Sequence, residues 1–230
     1  MGSPLAFYRW TELDRTSWPA FRDAAGAFES ADVRPRAHPG LPTVALPKPR
    51  ARRLAPLDRA LVARRSARKL STAPISDRDL GHLLYFSHGA VEAGARGPTP
   101  SAGGLQALEL YLVRFGDGAY HYDRAGHHLS RLGGADRADW RTRVPSLDLV
   151  EGGSLLWLIV GDVERVEAKY GARGLRFLLL EAGHLMQNLC VVSASLKRAT
   201  VPLGAFFERD VASALKLPET DLVLYAGLCG

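Results

Sequence analysis

Residues 169 to 188 read Lys-Tyr-Gly-Ala-Arg-Gly-Leu-Arg-Phe-Leu-Leu-Leu-Glu-Ala-Gly-His-Leu-Met-Gln-Asn, and they constrain the fold more than any other stretch. A basic turn leads into an almost wholly apolar helix that still carries Glu181, His184 and Asn188. Those three recur at i, i+3 and i+7, on one helix face. Among Leu178, Leu179, Leu180, Leu185, Met186 and Leu189, a buried polar side chain left unpaired costs roughly 1–3 kcal/mol. A second polar element must therefore meet that stripe, and His184 is expected as a hydrogen-bonded core residue.

A chain of 230 residues with no break in composition suits one large domain, taken as 57–230, behind an N-terminal extension, 1–56. The extension ends in a segment holding Pro35, Pro39, Pro42, Pro47, Pro49 and Pro56, which is expected to be extended and to wrap over a neighbour. The longest uninterrupted apolar run, Leu155 to Val160, falls well short of the roughly 18–20 residues that cross a bilayer. Arg9, Glu12, Asp14 and Arg15 stand where a signal peptide needs an apolar core, so the cytoplasm is the expected location. With Cys190 and Cys229 as the only cysteines, neither a disulfide framework nor a zinc site is expected. The net charge of +6 comes without any nucleic-acid recognition motif. Of its arginine clusters, Arg50, Arg52 and Arg53 read as a solvated face.

Periodicity predicts helices from Leu57 to Arg65, from a capping-box-like start at Ser76 and Asp79 through Leu80, Leu83 and Leu84, from Val163 to Tyr170, from Leu175 to Leu196 and near Asp210 to Leu217. Leu57, Leu61 and Val62 share one face of the first. Strands are expected at Leu108–Arg114 and Ala119–Tyr122, joined by the turn Gly116-Asp117-Gly118, and at 154–160 and 222–226. Leu129 and Leu132 suggest a short helix, residues 133 to 150 read as irregular, and 201–205 reads as a loop. Helices between strands, together with a hairpin, indicate an α+β layer structure. No Gly-x-Gly-x-x-Gly follows a strand and no Walker loop occurs.

Three short motifs carry chemistry. Arg64, Arg65, Ser66 and Arg68 gather guanidinium forks and a hydroxyl suited to a terminal phosphate, or else mark a surface helix end. Ser101-Ala102-Gly103-Gly104 offers bare backbone that a planar ligand can approach, or a plain turn. Lys169-Tyr170 pairs an ammonium with a phenol whose pKa the cation would lower, or simply caps the long helix. His127-His128 lack metal-ligand spacing, so no metal is expected.

In order, Arg-Arg-Ser-x-Arg at 64–68, Pro-Ser-Ala-Gly-Gly-Leu at 100–105, Glu-Leu-Tyr-Leu-Val at 109–113, Lys-Tyr-Gly-Ala-Arg-Gly-Leu-Arg-Phe at 169–177, Glu-Ala-Gly-His-Leu-Met-Gln-Asn-Leu at 181–189 and Pro-Leu-Gly at 202–204 resemble the SagB-type, McbC-like dehydrogenases of the nitroreductase superfamily. The resemblance runs from about Arg64 onward. It implies an FMN enzyme with a mostly antiparallel sheet flanked by helices, in an intertwined homodimer with flavin sites at the subunit interface. Arg64, Arg65, Ser66 and Arg68 would hold the FMN phosphate and ribityl chain, and Ser101, Gly103 and Gly104 would lie near the isoalloxazine. Gln187, Asn188, Leu203 and Gly204 would complete the pocket, with Lys169 and Tyr170 catalytic. Ala205 departs from the second glycine of many relatives, and Lys69-Leu70 from the usual aromatic.

The implied activity is oxidation of thiazolines or oxazolines to thiazoles or oxazoles in a ribosomal or carrier-bound nonribosomal peptide, delivered by a leader peptide or carrier protein or within a biosynthetic complex. An alternative is a flavin oxidoreductase of the same fold that uses NAD(P)H or dehydrogenates a peptide amide. A flavin-free scaffold subunit is the alternative of another class.

Overall fold

The computed structural model describes residues 6–7, 10–11, 14–27, 36–47, 49, 56–91 and 96–230. The cluster of Arg50, Arg52 and Arg53 lies outside them, as does Pro35. Seven strands, β1 (Thr43–Ala45), β2 (Leu108–Arg114), β3 (Gly118–Asp123), β4 (His128–Gly133), β5 (Leu155–Asp162), β6 (Thr200–Leu203) and β7 (Asp221–Cys229), form one sheet in the order β1-β4-β3-β2-β5-β7-β6. Every neighbouring pair is antiparallel. The helices are α1 (Trp18–Ala27), α2 (Leu57–Ala63), α3 (Asp77–His88), α4 (Arg137–Arg143), α5 (Val163–Tyr170), α6 (Gly174–Ser195) and α7 (Glu208–Leu215).

β5 shows why the protein has three layers. Its residues alternate between two cores, as period-two side chains must when both faces are covered. Leu155, Trp157 and Ile159 join Leu80, Leu83, Leu84, Leu178, Leu185 and Leu189 under α3 and α6. Leu156, Leu158 and Val160 join Trp140, Val211 and Leu215 under α4 and α7. Among the described residues, one helical stretch, Val163–Ser195, which runs through α5 and α6, has the length and composition to cross a membrane, but α6 is the core helix, with Leu178, Leu185 and Leu189 fully buried.

Local rules set the boundaries. Ser76 caps α3 by accepting the Asp79 amide at 3.2 Å, as the capping-box reading expects. Gly171, at φ 53 and ψ −149, ends α5 in a conformation reserved for glycine. A Cβ on Gly174 would sit 2.9 Å from Val166, so α5 and α6 fold back tightly on each other. The hairpin of β2 and β3 falls where the turn at 116–118 places it.

Three expectations are corrected. Leu129 and Leu132 lie on β4 and not on a helix, because Asp123 Oδ1 accepts the amides of Ala125 and Gly126 and turns the chain back along β3. Within 133–150, Asp136 caps α4 through the Asp139 amide and Trp140 anchors it in the core. Residues 200–203 form edge strand β6, where Pro202 is tolerated. In the Pro-rich segment, β1 pairs along β4, and Arg36 reaches the Asp221 carboxylate and, at 3.2 Å, the Tyr111 hydroxyl.

His88 lies fully buried on α3, its Nε2 3.0 Å from the Leu108 carbonyl. Burial, reinforced by the charge of Arg124, lowers its pKa to about 3. Unfolding frees the ring to protonate near 6.5, so the unfolded state binds the extra proton between those two values. Neutral His88 thus contributes stability that is complete above pH 6.5 and lost as the pH falls. Between pH 7 and pH 5, urea unfolding should show a loss of about 2 kcal/mol from this group, and His88→Gln should flatten that dependence.

Candidate active site

The polar stripe of α6 finds the partners its sequence demands. Glu181 is 3% exposed, and its Oε1 accepts the Ser101 hydroxyl at 2.9 Å and the Ala102 amide at 2.7 Å. Asn188 donates to the Ser87 carbonyl and to Thr99 Oγ1, each at 3.3 Å. His184 is a correction: it sits a sixth of a turn round the helix and is exposed.

Glu181 therefore grips the glycine loop at its start. Ser101 Oγ in turn accepts the Gln106 amide at 2.8 Å, and Arg165 donates to the Gln106 carbonyl at 2.8 Å, so the loop is pinned at both ends. Between those pins Gly103, Gly104 and Gln106 have φ of 59, 70 and 51. Left-handed backbone is open to glycine and strained for Gln106. The loop borders a cavity of about 320 Å³ that Arg96, Thr99 and Gln106 also line.

Lys169 and Tyr170 end α5 directly over this loop. A Cβ on Gly103 would fall 2.3 Å from Tyr170 Oη and 2.8 Å from Lys169 Nζ. Glycine is what lets ammonium, phenol and main chain share that spot. Tyr170 is held by Phe177 of α6, edge-on at 4.9 Å, and by Phe21 of α1, stacked at 6.0 Å. Its pKa is raised, first by burial and then by the charge of Glu181. This reverses the expected downward shift. Lys169 Nζ sits 5.5 Å from the ring centroid, while the loss of water and then the Glu181 carboxylate set the direction of the shift.

The other expected residues are placed apart from this cluster. Arg64, Arg65, Ser66 and Arg68 form the loop after α2, with Arg64 half-buried and the others exposed. No carboxylate pairs with these three arginines among the described residues. Arg64 is near enough to Cys190 for its charge to act on that thiol. Cys190 lies nine residues beyond Glu181, which is half a turn out of phase and roughly 13–14 Å along the helix. The arginine loop and the glycine loop thus approach α6 from opposite sides. Gln187 is exposed on α6, Leu203 is buried at the end of β6, and Gly204 is exposed with open space at its Cβ position.

Sequence reasoning named the loop and the lysine–tyrosine pair but not the group that joins them. Glu181 carried a signal, since it stands inside an apolar helix; Phe21 and Arg165 carried none. The residues fit a flat, anionic cofactor. Bare left-handed backbone lines the cavity, an amine and a phenol lie against its Gly103, and the arginine loop carries guanidinium groups suited to a phosphate.

Gly103→Ala should lose about 1–2 kcal/mol in a denaturant melt from left-handed strain, and should also displace the phenol, read by NMR as loss of the contact between the Tyr170 and Phe177 rings. Gly104→Ala, with φ 70 but nothing within 4 Å of its Cβ, should show the strain and keep that contact.

Comparison with known proteins bears on the family and the fold. The profile of the Nitroreductase family matches residues 61–230. A protein of Methanocaldococcus jannaschii assigned as a nitroreductase is 29% identical over 175 residues, covering 73% of this chain and 88% of its own. Among solved structures, one from Ralstonia eutropha assigned likewise superposes with a TM-score of 0.74 at 24% identity, over 86% of this chain and 92% of that one. A chain of the E. coli microcin synthetase McbBCD complex with truncated pro-MccB17 bound gives 0.66 at 18% identity, over 100% and 97%. A protein from Exiguobacterium sibiricum in complex with FMN gives 0.59 at 14% identity, over 76% and 88%. Its seven-stranded antiparallel sheet, its layers of helices and the family match over residues 61–230 make this chain a member of the nitroreductase family.

Proposed function

We propose that this flavin oxidoreductase is an FMN-dependent azoline oxidase, converting thiazoline or oxazoline rings of a peptide natural product to thiazoles or oxazoles in the cytoplasm. The observation that carries the reading is the convergence of Lys169 Nζ and Tyr170 Oη on the bare backbone of Gly103. Aromatising an azoline removes a proton from one ring carbon and a hydride from its neighbour, so the site needs a proton acceptor set against a redox cofactor. FMN, when bound, supplies the hydride acceptor. The resemblance to the SagB-type dehydrogenases, and a fold shared with a chain from a microcin synthetase complex that holds a peptide, favour a peptide substrate.

Each residue then has a duty. Arg64, Arg65 and Arg68, with Ser66, bind the phosphate. Ser101, Gly103 and Gly104 present main chain to the flat ring, with Gln187, Asn188, Leu203 and Gly204 bordering the remainder. A Tyr170 kept protonated by burial and by Glu181 donates a hydrogen bond to the substrate, which leaves Lys169, in its neutral amine form, as the group placed to accept the ring proton and become ammonium. Phe21 and Phe177 hold the phenol still.

The arginines and the glycine loop lie on opposite sides of α6, so a complete site draws them from two chains. The apolar surface agrees. Leu57, Leu61 and Val62 are 68, 46 and 82% exposed on α2, and Leu179 and Leu180 are 46 and 56% exposed on α6. Such a concentration of exposed aliphatic side chains suits a homodimer interface.

The purified protein should be yellow. Arg64→Ala with Arg68→Ala should weaken FMN binding by several kcal/mol, at about 1.5–3 kcal/mol per charged hydrogen bond. A cyclised peptide incubated with the holoenzyme should lose two hydrogens by mass spectrometry, and Tyr170→Phe should slow that loss about a hundredfold or more. Rapid NADPH-driven nitroaromatic reduction that survives Tyr170→Phe would instead assign the same fold to a reductase, and a colourless protein would assign it to a scaffold.

A further inference from the structure

Among the described residues, Glu181 is the ionisable group bonded to the start of the glycine loop, and neither the family match nor the lysine–tyrosine motif gives it a role. Its Oε1 binds Ser101 and Ala102. The next residue, Gly103, is the one whose missing Cβ makes room for Tyr170 Oη and Lys169 Nζ. The loop therefore has a buried carboxylate bonded at its start and the two reactive side chains set against the glycine that follows.

We propose, resting on the oxidase reading above, that Glu181 is a positioning residue with two separable duties. Its Oε1 fixes the Ser101–Gly104 backbone against which the cofactor ring would lie, and its negative charge governs the proton on Tyr170.

The two duties use different properties of one side chain. Holding the loop needs an acceptor oxygen at the right reach, which a carboxamide also supplies. Governing the phenol needs charge, because a nearby anion opposes formation of phenolate. Among the described residues, Lys169 faces Tyr170 from its own helix and Glu181 acts on it from α6. Burial raises the pKa of Glu181 above the usual carboxylate range, and the Ala102 amide, the Ser101 hydroxyl, His184 and Arg124 oppose that rise by favouring the ionised form. Arg124 is itself buried and committed to the carbonyls of His88 and Gly89. It can steady the carboxylate's charge without reaching the cavity.

Two substitutions in the full chain separate the duties. Glu181→Gln keeps the acceptor and removes the charge; Glu181→Asp keeps the charge and withdraws the acceptor by one methylene. Tyr170 is followed in the flavin-free protein by NMR of tyrosine labelled with carbon-13 at Cζ, its signal identified with Tyr170→Phe, and FMN binding is followed separately by titration. In Glu181→Gln the midpoint of the Tyr170 titration should fall by about one pH unit, with FMN binding within about threefold of wild type. In Glu181→Asp the midpoint should stay where it is while the FMN Kd rises about tenfold, the loss of one charged hydrogen bond.

An unmoved Tyr170 midpoint in Glu181→Gln would overturn the proposal. So would equal loss of FMN binding in both variants with no change in Tyr170, the mark of a purely structural carboxylate. Should Glu181→Gln fail to fold, Ser101→Ala decides the loop duty: a Kd raised about fivefold supports it, and an unchanged Kd removes it. The oxidase reading fails separately, if wild-type protein shows the tyrosine behaviour but yields no two-hydrogen loss from any cyclised peptide.

Discussion

A carboxylate buried in an apolar helix joins the two halves of this protein's chemistry. Glu181 is one of nine buried residues on α6 and the only charged one, and the cost of hiding it is met by the Ser101 hydroxyl and the Ala102 amide. Because those donors begin the glycine loop, the bond that satisfies the core also shapes the site. Packing of α6 against the sheet and the geometry around Tyr170 are in this sense one problem with one solution. Shifting the helix would leave a buried anion unpaired, which is among the costlier defects a core can carry.

A second polar network backs the site from the opposite face of the sheet. Glu109 Oε2 meets His121 Nε2 at 2.9 Å, and Arg165 bridges Glu109 Oε1 at 3.2 Å and Asp162 at 2.9 Å. Burial pushes Glu109 up, but the hydrogen bond and charge of His121, with Arg165 and Arg36, outweigh it and hold the carboxylate below its usual range. Arg165 is the link, since the same guanidinium holds the far end of the glycine loop through Gln106. Rigidity in the loop therefore comes from two sets of buried charges, one at each end, with Arg124 feeling both.

Much of this was written in the sequence where periodicity and chemistry agreed. The α6 stripe, the Ser76 cap, the β2–β3 hairpin and the boundaries of α5 follow from local rules, because each is satisfied by residues a few positions apart. β4 escaped because Leu129 and Leu132 are spaced for a helix, and only pairing with β3 on one side and β1 on the other makes them a strand. β6 escaped for a similar reason, since Pro202 reads as a loop until an edge position is known. The pair Lys169-Tyr170 was visible as a motif, but the direction of the Tyr170 shift was not, because Glu181 lies eleven positions further on and its distance to the phenol depends on the tight α5–α6 turn. His184 shows the converse. A helical face can be read from spacing, whereas its burial depends on what packs beside it.

The place of β7 in the sheet also bears on how the chain reaches this state. It lies between β5 and β6, and β5 is apolar on both faces. During synthesis, β1 to β5 can pair before β7 exists, whereas β6, an edge strand that pairs with β7, must wait for it, and until then β5 offers one open row of amides and carbonyls beside exposed leucine, tryptophan and isoleucine. Nascent molecules pass through a stage with a sticky margin, and the closing strand must arrive faster than a neighbouring polypeptide can take its place.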